Sequence, residues 1–245
     1  LVAHACGVRG ETNQATKLLK RVIQLSPMDL SARSRLIDQL VARGMVDETI
    51  SEYLELADLY YRLAELDMAR KTYTTALRFV QQANADRSWN VHILQRMADI
   101  DMQKLDWRQA LRIFEQIRTL RPDDAVVRRS LVELNLRMER LPQALDELEN
   151  YLTYLESNRR SSDAIPFLED LITEHGEQQA LRRALATLYQ QADRTEDAIA
   201  QLDKVGDTLL KAGEKDGAIA VVNQILRLNP PNAEEYRRLL AQIGG

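Results

Sequence analysis

Cysteine is almost absent: Cys6 stands alone in 245 residues, which excludes an internal disulfide and fits a reducing compartment. Histidine is nearly as scarce. With His4, His92 and His175 the chain cannot assemble the usual Cys/His zinc sites, so neither a metal nor a cofactor is expected. His4 and Cys6 are neighbours, but two such residues are too few to hold an ion. Glycine (9), proline (6) and phenylalanine (3) are also thin for this length, which disfavours a fold of strands and turns and leaves helix. No apolar run approaches the length of a membrane span, and the opening LVAHACGVRG has neither the charged start nor the apolar run of a signal peptide, which points to a cytoplasmic protein. Charge of one sign is missing too. The 37 acidic and 33 basic side chains are interleaved, giving a net charge of −4 and no basic stripe to neutralise phosphates, so direct nucleic-acid binding is not expected.

What is present is repetition. Small residues follow polar turns at Ala15, Thr49, Ala69, Ala110, Ala144, Ala164, Ala198 and Ala218. Two spacings dominate: 34 residues, as from Ala110 to Ala144, and 20 residues, as from Ala144 to Ala164. Residues 141–176 overlay residues 195–230 without a gap, a period of 54 that matches Ala144 with Ala198, Leu148 with Leu202 and Leu155 with Leu209. Within each segment apolar residues recur three and four apart, as at Leu131, Leu134 and Met138, the signature of an amphipathic helix. Breaks fall at SPMD (26–29), RPDD (121–124) and NPPN (229–232), where proline ends one helix and Asp or Asn can cap the next. Gly10, Gly44 and Gly213 mark tight turns between helices.

The 34-residue step, with a small residue where helices approach and a proline twelve residues later (Ala15 and Pro27, Ala110 and Pro122, Ala218 and Pro230), resembles the tetratricopeptide repeat family. Trp107, Ala110, Phe114 and Pro122 occupy that family's positions in one hairpin, as do Leu185, Ala186, Tyr189 and Ala198 in another. The resemblance implies an all-α, right-handed solenoid of antiparallel hairpins with about 13 or 14 helices, running through residues 1–245 as one domain and closed by a capping helix near 233–243. The 20-residue steps depart from the family. They predict three-helix units in which helices near 46–63, 141–158 and 194–211 each serve two hairpins. With no initiating Met and no cap at the start, a fragment of a longer polypeptide is expected, whose open N-terminal end could pair with its twin as a homodimer.

The function this implies is a scaffold or adaptor that binds a partner protein or peptide in a concave groove without catalysis; the alternative is a regulatory or sensor segment of a larger signalling or transcriptional protein. Projecting the family's geometry places Ser34, Asp38, Gln95, Asp99, Arg129, Glu133, Arg183, Thr187 and Arg237 on the inner wall. Arginine pairs at 128–129, 182–183 and 237–238 could form a ladder that grips carboxylates, against the simpler reading of a solvated face in which Arg129 pairs with Glu133. Tyr60 and Trp107 match apolar family positions and are expected in the core. Asp99, Asp101, Asp123 and Asp124 are read as capping or solvated groups, and His92 and His175 as surface or boundary residues.

Overall fold

The computed structural model describes residues 12–244, so His4, Cys6 and Gly10 lie outside the described residues. The chain divides after Pro122 into two compact units, residues 1–122 and 123–245. Described residues of the first unit form α1 (Thr12–Leu25), α2 (Leu30–Ala42), α3 (Val46–Arg62), α4 (Leu66–Gln82), α5 (Arg87–Gln103) and α6 (Trp107–Leu120). The second holds α7 (Ala125–Arg137), α8 (Leu141–Ser157), a 3₁₀ turn (Ser161–Asp163), α9 (Ala164–Glu174), α10 (Gln179–Gln191), α11 (Thr195–Ala212), α12 (Lys215–Arg227) and α13 (Ala233–Gly244). Thirteen α-helices and no strand among the described residues make this the all-α repeat that the periodicity predicts.

In the first unit every helix packs against the next one along the chain; in the second α9 rests on α7 and α10, and its main link to α8 is the 3₁₀ turn, so the helix at 141–157 is not shared between two hairpins as α3 and α11 are. The small residues explain the spacing. Ala15, Thr49, Ala69, Ala110, Ala144, Ala198 and Ala218 have no exposed surface and Ala164 is buried, so a larger side chain at any of them would push two helices apart. The three helices expected to serve two hairpins are found at 46–62, 141–157 and 195–212, each longer than its neighbour on the N-terminal side. Of these, α3 packs on α2 and α4, and α11 on α10 and α12.

Four of the described helices start with an aspartate cap, whereas α3, α4 and α8 to α12 start without a side-chain cap. Asp29 accepts a hydrogen bond from the Ala32 amide, Asp86 from Ser88, Asp106 from Gln109, and Asp124 from both Val126 and Val127. Helix ends are less conventional. Gly44 and Gly213 take the left-handed conformation, but so do Ala64, Asn84, Leu105, Glu139, Arg159, Asp193 and Asn229. The C-terminal α13 buries Tyr236 and packs Leu239 and Leu240 against the core of the second unit.

Polar links cross between helices at repeated places. Arg33 on α2 donates to Glu52 on α3 (2.5 Å), Arg128 on α7 to Glu147 on α8 (2.8 Å), and Arg182 on α10 to Gln201 on α11 (2.9 Å); each pair is 19 residues apart. Arg128 and Glu147 are both buried, and the guanidinium also lies over the Tyr151 ring at 5.4 Å. Asp101 is likewise no solvated group. It is 2% exposed and accepts two bonds from Arg70 on α4, at 2.6 and 3.0 Å. Tyr60 and Trp107 are half-buried, whereas Tyr73, Tyr151 and Tyr189 supply buried rings.

Candidate functional site

In the second unit α8 and α10 form the walls of an open cleft of about 820 Å³. Its origin is the connector between α8 and α9. Residues 158–163 make a longer link than the three-residue turns at 138–140 and 192–194, and the 3₁₀ turn in it is pinned by Arg160, whose Nε donates to Asp163 Oδ2 at 2.8 Å. The following helix α9 has only 11 residues and rests on α7 and α10. Ala164 and Ile165, at its start, line the cleft between α8 and α10.

The cleft has an apolar floor and a polar margin. Leu145, Leu148 and Leu152 from α8 meet Ala184 and Leu188 from α10, and these side chains continue the hydrophobic core of the unit. Around them stand Glu149, Thr153 and Glu156 from α8, Ser161 and Ser162 from the connector, and Thr187 and Gln191 from α10. Among the described residues no lysine, arginine or histidine lines it. Chemically, such a surface offers apolar contact area with hydroxyl, amide and carboxylate groups to orient what lies on it.

A second, smaller hollow of about 300 Å³ lies between α7 and α9. Arg129 donates there to Glu133 (2.9 Å), Glu174 (3.2 Å) and Asp170 (3.5 Å), and the bond to Glu133 pushes the already high pKa of the guanidinium further up. Ligand-type atoms of Glu133, Glu174 and His175 lie within 4.8 Å of one another, so these three residues are of the types that could hold a metal ion. Arg129 already answers the charge of two of them.

The nine residues projected onto a groove wall are distributed as follows. Within the first unit Ser34, half-buried on α2, donates to the Leu30 carbonyl; Asp38 is exposed on the same helix; Gln95 is half-buried and Asp99 exposed on α5. In the second unit Arg129 and Glu133 are brought together with Asp170 and Glu174, Thr187 lines the cleft, Arg183 is half-buried on α10, and Arg237 pairs with Glu234 on α13. The paired arginines are not equivalent. Arg128 and Arg182 are spent on links to the next helix, while Arg129 and Arg183 lie about 100° further round. Tyr236, 54 residues after Arg182, replaces it at the third repeat and donates to Asp203 at 2.8 and 2.9 Å. Of the cleft residues, only Thr187 was foreseen; the unusual length of the connector is the one sequence signal that could have pointed to it.

No curated protein sequence matches the chain. Similar solved structures include a tetratricopeptide repeat protein from Parabacteroides merdae (16% identity, 99% of this chain and 96% of that one, TM-score 0.38). BtubC from P. vanneervenii is another (16% identity, 90% and 89%, TM-score 0.41), as is Naa15/Naa10 bound to HypK-THB (16% identity, 99% and 38%, TM-score 0.44). No described helix is long and apolar enough to cross a membrane. The family model of the tetratricopeptide repeat protein 21 ARM repeat matches residues 1–140, more than half of the chain, and the protein belongs to that family of helical repeats.

Proposed function

We propose that the chain is a non-catalytic scaffold that holds a partner protein, with the cleft between α8 and α10 as its docking site. Helical repeats of this kind commonly mediate protein–protein interaction. The observation that carries the proposal is the cleft itself: a floor of leucine and alanine with a polar rim, open to solvent and continuous with the core of the unit. With no basic group in its lining, it has nothing to offer a phosphate backbone. Of the nine groove residues, Thr187 is retained as a contact, and Arg129 and Glu133 are assigned to the cluster that ties α7 to α9.

The test is capture of partners by the chain and by Thr187→Trp, whose exposed position lets the indole fill the cleft without entering the core. The substituted bait is expected to lose the partner while its helical circular dichroism is unchanged. Retention of every partner by a folded Thr187→Trp protein would remove the cleft from the interface.

A further inference from the structure

We infer that the α8–α10 cleft takes a basic amphipathic helix of a partner protein, its aliphatic face down and its lysine or arginine residues against the α8 margin; this rests on the docking reading above. Three observations lead there. The first is charge. Among the described residues Glu149 and Glu156 are the only ionisable ones lining the cleft, and neither is engaged by another described side chain. Both are exposed and stand on one row of α8 with Thr153 between them. Seven residues at 1.5 Å each put them about 10 Å apart along the helix. A ligand helix lying along α8 therefore reaches both with basic residues two turns apart.

The second observation is the backbone. The two walls are helices, whose amides and carbonyls are bonded internally, so no strand edge is available to pair with an extended peptide. A segment entering this cleft therefore finds no ladder of backbone partners, and a helix, bonded internally, needs none. The third is the floor. Ala164 and Ala184 keep it low between Leu145, Leu152 and Leu188, which lets a helix axis approach closely and seat aliphatic side chains at the three- and four-residue spacing of one face.

The experiment is selection of helical peptides from a displayed library on the full chain, followed by affinity measurement of the enriched peptides on three proteins. These are the unsubstituted chain, Thr187→Trp, and Glu149→Lys combined with Glu156→Lys. Gln191→Trp serves as a second cleft-filling variant should Thr187→Trp fail to fold. Expected are peptides with aliphatic residues on one face and lysine or arginine beside it. They should lose binding to the filled cleft and weaken on the order of tenfold on the charge-reversed protein, the effect falling away at high salt. Enriched cleft binders that are acidic, uncharged or extended would overturn the basic-helix inference and leave the docking site standing. Peptides that all bind the filled variants as well as the unsubstituted chain would sink both. A second copy of the chain as occupant, seen as self-association abolished by Thr187→Trp, would also overturn the inference.

Discussion

At the scale of single residues the most informative group is the arginine at the fourth position of a repeat's first helix. Arg128 and Glu147 are 7% and 6% exposed, and the 2.8 Å bond between them gives each buried polar group a partner. Arg128→Ala is expected to cost about 1.5–3 kcal/mol, since it takes a charged hydrogen-bond partner from a buried carboxylate. Replacing both with Met and Leu should recover most of that loss, because desolvation of two charges offsets much of their attraction. Urea unfolding of the two variants separates a linked pair from two independent contacts. The adjacent Arg129 looks the same in sequence, yet it bonds Glu133, Asp170 and Glu174 at the surface. The pairs were legible as a repeat; the division of labour within each was not, because it depends on which residue of two faces the next helix. Buried tyrosines give a pH prediction. Burial, reinforced by the bond to Asp203, pushes the Tyr236 hydroxyl up to about 12, and burial with the bond to Glu169 does the same for Tyr189. A pKa raised on folding gives stability that is complete below the unfolded value of about 10 and lost as pH rises through about 12. Stability should therefore fall between pH 10 and 12, and more shallowly in Tyr236→Phe. An unchanged slope in that variant would dissociate the phenol from the alkaline transition.

At the scale of helices, starts were more legible than ends. Asp29, Asp86 and Asp124 cap because a short side-chain oxygen can reach the free amides of the first turn, and this chemistry is visible as a letter in the sequence. The ends at Ala64, Leu105 and Glu139 adopt left-handed backbone in residues that ordinarily avoid it, so the turn is imposed by helix packing and leaves no glycine to read. The long link before α9 was only partly legible: Asn158, Ser161, Ser162 and Asp163 are turn formers, but no glycine or proline separates the two helices there. The 54-residue period nevertheless supports an element-scale prediction. Gln178 precedes α10 at φ −77° and ψ 99°, nearly the conformation of Asp124 before α7 at φ −74° and ψ 101°, but only Asp124 makes a side-chain cap. Gln178→Asp is expected to raise stability by about 0.5–1 kcal/mol by completing the repeat's own rule. Asp124→Ala should lower it by about 1 kcal/mol. Thermal unfolding of both checks the symmetry; a Gln178→Asp protein no more stable than its parent would show that the two starts differ in more than the cap.

At the scale of the molecule, the fold was legible because its long-range order is built from local order: within each unit most helices meet the helices beside them in the chain, so spacing largely specifies contacts. The cleft was not, because it arises where this regularity lapses and α9 leans on α7. The same linear logic governs how damage spreads within a unit. Leu168 on α9 has no exposed surface and sits in the core of the second unit with Leu171, Leu185 and Ala186. Leu168→Ala removes three carbons from a closed site, at a cost of about 2–5 kcal/mol. In a globule whose elements all share one centre that loss would lower every free energy of opening alike. In a stack, the helices touching α9 bear it first, and those joined to α9 only through α10 and α11 feel less of it. Hydrogen exchange of Leu168→Ala is thus expected to show the largest loss of protection in α7, α9 and α10 and the smallest in α12 and α13. Equal loss from α7 to α13 would mean that the second unit opens as one body, and that a partner seated between α8 and α10 stabilises the far helices as strongly as the near ones.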